Sequence, residues 1–209
     1  MEDLVDELNQ KEDHSKCIAE KAINNPQLIS VLLNLISSDI KRVKFRSIKV
    51  LNIVSGKNPK ILYPHVDFFI ELLDNVNKVI LWNAMDILAN LSAVDSQKKI
   101  EDIFEKFYGF LSDESMITAG HVVDNSWKIV KSKHEYENRI TGKLLELEEI
   151  PRDGECQNIL LGKAILSFDK YFDEIQDKEE VISLVKRQLN SPRNATKVKA
   201  ERFLKEHSD

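Results

Sequence analysis

Apolar residues recur at i, i+3, i+4 and i+7 through almost the whole chain, and strand-like alternation is hard to find. A chain patterned this way buries its apolar stripes by packing helix on helix. Six Gly and five Pro among 209 residues also leave too little turn chemistry for a many-stranded sandwich. Punctuation at Asn24-Asn25-Pro26, Ser37-Ser38-Asp39, Gly56 to Pro59, Asp74-Asn75, Ala93 to Ser96, Ser112-Asp113, Pro151 to Gly154, Asp177 and Asn190-Ser191-Pro192 cuts the pattern into about twelve helices. They are expected over 2–10, 13–24, 26–37, 40–55, 60–74, 77–92, 97–111, 115–132, 135–149, 155–174, 178–190 and 194–207. Linkers this short make neighbours antiparallel. With 42% apolar residues the chain is long enough for one substantial core, so a single domain over 1–209 is expected.

Twelve helices in pairs invite a search for an internal repeat. Val43 to Leu51 overlays Ile80 to Leu88 at an offset of 37 residues, and Gly162 to Leu166 and Ala200 to Leu204 follow at about two and three periods. The slot held by Ser47, Ala84, Gly162 and Ala200 is small each time, which lets adjacent helices approach closely; Val123 takes it in the intervening pair, where the match is poor. The fold expected is all-α, a right-handed α-α superhelix of about five to six helix pairs.

The stretch Asn83-Ala84-Met85-Asp86-Ile87-Leu88-Ala89-Asn90-Leu91-Ser92-Ala93 resembles the last helix of an armadillo repeat, and the chain is similar to the armadillo and HEAT families over nearly its whole length. In peptide-binding members the Asn of that pattern, here Asn90, faces the concave groove. A Trp commonly stands four residues earlier, where this chain has Asp86, with Trp82 one turn before it. The resemblance implies a scaffold, a transport receptor or, in a few cases, an enzyme.

Rotated at helical pitch, the helix from Ile40 gathers Val43, Ser47, Leu51 and Val54 on one side and Arg42, Phe45, Arg46, Lys49 and Ile53 on the other. The segment from Asp39 to Lys60 carries about +6 within a chain whose net charge is −5. Such segregation is either a solvated face or a surface for an acidic partner. The next rung presents Val79, Trp82, Asn83, Asp86 and Asn90, and the third His121, Asp124 and Asn125. Phe45 and Trp82 are expected side by side, although a large aromatic in a helical stripe is as readily core as groove. His121 and Asp124 at i, i+3 have the spacing of a general-base pair, but nothing supplies a nucleophile or an oxyanion hole.

Residues 135–180 reverse the charge, to about −7, and enclose a helix from Cys156 to Phe172 that is apolar almost all round. Either neighbouring repeats wrap it or it joins a second subunit in a homo-oligomer. The last helix is basic again, with Arg193, Lys197, Lys199, Arg202 and Lys205, as suits a polar cap.

No metal and no cofactor is expected. Cys17 and Cys156 lie too far apart for a zinc or redox motif and are expected to be buried thiols; His14 and Cys17 have no second ligand pair; and phosphate-loop, dinucleotide, zincin and nucleophile-elbow motifs are absent. The longest apolar stretches are broken by acids, excluding a membrane span, and the first residues lack the basic and apolar regions of an export signal, so the cytoplasm is the compartment expected. The reading that follows is a non-catalytic interaction module or scaffold. Its concave face would bind a protein or peptide, acidic in character, through Arg42, Phe45, Arg46, Lys49, Trp82, Asp86, Asn90, His121 and Asn125. Two alternatives stand beside it. One is a HEAT-like DNA glycosylase, which the chain resembles in size and stacking and for which Trp82, Asp86 and Arg46 make a loose set; the acidic balance disfavours nucleic acid. The other is a structural subunit of a larger assembly.

Overall fold

A computed structural model describes residues 2–207, and every regular element among them is helical. The α-helices are α1 (Glu2–Asn9), α2 (Ser15–Asn24), α3 (Gln27–Leu35), α4 (Lys41–Lys57), α5 (Pro59–Leu62), α6 (Val66–Glu71), α7 (Lys78–Leu91), α8 (Lys99–Asp102), α9 (Phe104–Gly109), α10 (Met116–Ser132), α11 (Glu137–Leu145), α12 (Gly154–Tyr171), α13 (Lys178–Arg187) and α14 (Asn194–His207). The long helices α4, α7, α10, α12 and α14 begin at intervals of 37, 38, 38 and 40 residues, so the repeat read from the small-residue slots is the repeat of the structure. Each long helix follows one or more shorter helices. Three helices expected to be continuous, over 60–74, 97–111 and 135–149, are broken by 3-10 turns at Tyr63–His65, Leu72–Asp74, Phe110–Ser112, His134–Tyr136 and Glu146–Glu148. Pro64, with no N–H to give, sits in the first of these turns. The second of the three divides at Ile103, between α8 and α9, and Lys98, at φ 58°, stands just before α8.

Three of the long helices, α7, α10 and α12, start where a side chain takes up orphan amides. Asn77 accepts from the N–H groups of Val79 and Ile80, Ser115 from Thr118, and Asp153 from Glu155 and Cys156. No helix among the described residues is long and apolar enough to cross a membrane.

Packing divides the chain into two compact units, the first ending at Ile103 and the second beginning at Phe104. In the first, α4 is the hub, packed against α1, α2, α3 and α7, with Val43, Ser47, Leu51 and Val54 fully buried. In the second, α12 lies between α10 and α14. This accounts for its apolar circumference: of the nine apolar side chains from Ile159 to Phe172, only Ile159 and Leu166 are partly exposed. Neighbouring helices of the same chain cover the surface that sequence left open to a second subunit. Gly162 lets α14 come close, since a Cβ built there would stand 2.7 Å from Thr196 Oγ1.

The charge blocks also find each other one repeat apart. Glu20 pairs with Lys57, Asp67 with Lys99, Glu105 with Arg139, Glu148 with Arg187, Glu155 with Arg193 and Asp169 with Arg202. The acidic excess of 135–180 is thereby met in part by the basic residues of α13 and α14, a partnership that segregated charge in the sequence conceals. Most of these pairs are exposed, so each adds little stability and together they fix register.

Candidate functional site

Arg42, Arg46 and Lys49 project from α4 toward the start of the chain. Arg42 Nη1 donates to the carbonyl of Asn9 (2.6 Å), and Arg46 donates to those of Leu8 (2.9 Å), Gln10 (2.6 Å) and Lys11 (3.2 Å). The last carbonyls of a helix lack intrahelical partners and carry its partial negative charge, and a guanidinium fork suits them. Lys49 Nζ pairs with Asp13 Oδ2 at 2.6 Å. The basic face expected to meet an acidic partner therefore meets the acidic helix α1, EDLVDELN, and the turn that follows it. The Arg46 side chain is only 12% exposed.

Two results follow. Arg46→Ala should take the guanidinium from three carbonyls, one of them part-buried, and loosen α1, seen as at least a tenfold faster amide exchange at residues 4–9 with no change at 116–171; equal protection in both proteins would show that α1 is held by Leu4 and Leu8 alone. Asp13 is held well below the usual carboxylate range, first by the Lys49 hydrogen bond and then by the Ser15 hydroxyl and N–H. A depressed folded-state pKa means stabilisation that is complete above the unfolded value near pH 4 and fades as pH falls below it. With 42% of the side chain exposed the contribution stays under about 1 kcal/mol. Asp13→Asn should thus melt below wild type at pH 6, with the gap narrowing progressively as pH falls from 4 toward 2; parallel curves would exclude this role.

Along α4 and α7 the polar side chains tie one helix to the other. Asn52 Nδ2 donates to Asn83 Oδ1 (3.0 Å) and Asp86 Oδ2 (3.2 Å), Asn83 Nδ2 donates to its own helix at the Val79 carbonyl (2.8 Å), and Asn90 Nδ2 donates to Ser55 Oγ (2.9 Å). Beside these ties runs a groove of about 520 Å³ lined by Phe45, Lys49, Asn52, Ile53, Val79 and Asn83. Val79 is 40% exposed. Trp82 is half-buried, intermediate between the core and groove positions that sequence left open.

In the second unit His121 and Asp124 line a smaller cavity of about 180 Å³ with Met116, Ile117, Gly120, Ile159 and Lys163. Lys163 holds the Asp124 carboxylate, which weakens the reading of His121 and Asp124 as a general-base pair. Asn125, expected on the same rung, is 2% exposed and turns its amide back to the His121 carbonyl at 2.8 Å, so it is a buried residue and not a surface ligand. The thiols also differ from expectation: Cys17 is exposed, because Ile18, Ala19 and Ala22 form the buried side of α2, and Cys156 is half-buried. Asp169, Glu206 and His207 bring three potential metal ligands together, but Arg202 already lies 2.9 Å from Asp169 and 3.6 Å from Glu206 and neutralises them.

The chain is similar to a designed armadillo repeat protein, with a TM-score of 0.58 and 17% identity over 97% of this chain and 98% of that one. The fold is armadillo-like. A crystal structure of an engineered protein from a structural genomics consortium is similar to the same degree, with a TM-score of 0.58 and 17% identity over 98% of this chain and 94% of the other. No family model and no curated protein matches the sequence. Identity this low carries the architecture of the armadillo-like fold and not its ligand. The Asn that the resemblance assigns to the groove, Asn90, spends its amide on Ser55. Asn52, which holds the two helices together beside the groove, went unnoticed in the sequence because an Asn in mid-helix gives no signal of its partner.

Proposed function

We propose that the protein is a non-catalytic interaction module of the cytoplasm that binds a protein segment across α4 and α7. The observation that carries this reading is the groove itself: three apolar side chains, Phe45, Ile53 and Val79, lie open between a cation, Lys49, and the amides of Asn52 and Asn83. An apolar side chain of the partner would fill it and its backbone would meet the amides. Anchors of this kind carry most binding energy, while the polar rim fixes register. The armadillo-like architecture supports it as a class of scaffold. Enzyme chemistry is not part of the reading, since Arg46 of the glycosylase-like set is committed to three carbonyls and Asp86 to Asn52.

Affinity capture from the native lysate with wild type and with Val79→Glu, both verified as folded by circular dichroism, tests it. One species retained by wild type and lost by the variant is the expected outcome. Identical retention by the two proteins would sink the groove.

A further inference from the structure

A second surface, independent of the groove on α4 and α7, lies where α10, α12 and α14 come together. Gly120 leaves room for the Lys163 side chain to lie over α10, with Cε 3.3 Å from where a Cβ would be, and Lys163 ends on Asp124. Gly162 does the same one helix on: Lys199 Nζ lies 3.4 Å from its missing Cβ. Arg193, at the start of α14, ends on Glu155. Three cations thus share two carboxylates, and the one left over is Lys199. Among the described residues it makes no hydrogen bond or ion pair, and it is half-buried.

An ammonium in that position is costly to keep charged. Burial is the largest influence pushing its pKa down, followed by Lys163 and Arg193, with Asp124 opposing them. An anion placed on Lys199 would remove that cost, so the site is charged in advance for a ligand the protein does not itself supply. Next to it is the cavity lined by Met116, Ile117 and Ile159, which shares Lys163 and Asp124 with the charged cluster and has room for about one aliphatic side chain. Ile117, at its mouth, is 50% exposed.

We propose that this face binds a peptide segment in which an Asp or Glu adjoins an aliphatic residue, the carboxylate on Lys199 and the aliphatic side chain in the cavity between α10 and α12. A nucleic acid fits less well. A phosphate track needs cations in succession, and here Asp124 and Glu155 stand among them in a chain of net charge −5. The acidic partner read from the sequence is thereby moved from α4, where Arg42 and Arg46 are spent on carbonyls at and just after the end of α1 and Lys49 on Asp13, to α14.

The test is selection of a displayed library of random dodecapeptides on the full chain. It is followed by fluorescence anisotropy of the enriched peptides with wild type, Lys199→Gln and Lys199→Arg, each checked for folding by circular dichroism. Enrichment of Asp or Glu beside Leu, Ile or Val is expected, with affinity at least tenfold weaker in Lys199→Gln and within about twofold of wild type in Lys199→Arg. Chemical-shift changes on peptide addition should map to 116–124, 159–163 and 193–199, which locates the site even if one variant folds poorly. Enriched peptides without a carboxylate, no enrichment, or equal affinity in Lys199→Gln would each overturn the proposal. So would tighter binding of a labelled oligothymidylate that is lost in Lys199→Gln.

Discussion

Gly162→Ala should destabilise the second unit by about 1–3 kcal/mol, the range for overpacking a fitted core. The sign is informative. Inside a helix the same change normally stabilises by about 0.5–1 kcal/mol, because alanine surrenders less backbone entropy than glycine. Here the added methyl would stand 2.7 Å from Thr196 Oγ1, in a side chain 1% exposed whose hydroxyl donates to the Asn158 carbonyl at 2.7 Å. Neither Thr196 nor the backbone behind it can retreat without breaking that bond. Gly142→Ala is the matched control, since nothing lies within 4 Å of its Cβ position in α11, and it should raise stability. Removing the obstruction with Thr196→Ala should make the double variant less unstable than the sum of the singles, a coupling that a double-mutant cycle in urea measures directly. Gains of stability at both glycines would show that α12 and α14 are not in close contact.

Asp95→Ala should cost the first unit about 2–4 kcal/mol, since at least three donors lose one acceptor group at a site 4% exposed. Oδ1 accepts the Tyr63 hydroxyl (2.7 Å) and the Lys99 N–H (2.9 Å), Oδ2 accepts the Ile100 N–H (3.1 Å), and the Tyr63 oxygen in turn accepts from Gln97 N–H (2.9 Å). One carboxylate therefore caps α8, steadies the turn in which Lys98 is left-handed, and ties that turn to the 3-10 segment after α5. Burial, foremost, keeps the Tyr63 phenol protonated, with the nearby carboxylate adding to it, so the hydroxyl remains a donor across the ordinary pH range. Asp95→Asn should fall between wild type and alanine, because its amide NH₂ must face a donor. A denaturation midpoint unmoved by Asp95→Ala would mean that water replaces the carboxylate without penalty.

Helix periodicity and caps are local properties, and for that reason the long helices were legible almost to the residue: α7 and α10 lie within one residue of the spans expected. The interruptions were less so. Pro64 is visible in the sequence, but the division at Ile103 between α8 and α9 carries no compositional sign. At the candidate site, the wheel that set Phe45 and Ile53 opposite Val43 and Leu51 matches their placement, the first two beside the groove and the others buried, because side-chain direction along a helix follows from spacing alone. It could not tell where the cations on that side go. Arg42 and Arg46 are satisfied by backbone carbonyls 33 to 38 residues away, and a carbonyl has no letter in the sequence. Asn125 misled for the opposite reason: its amide turns inward to its own helix, a choice of rotamer that no spacing encodes.

Within each unit the packing of each long helix on the next, held in register by the ion pairs, gives a definite way of yielding to mechanical load. Force applied along the chain would act on one rung at a time, since each set of ties spans a single period of 37 to 40 residues between long-helix starts. Failure would begin at an end, where a repeat has one neighbour and not two, and proceed as discrete lengthenings. Each would pay out up to about 130 Å of extended chain. Such a protein behaves less like a bolt than like a tether that gives way in measured steps and can rewind from whatever remains folded.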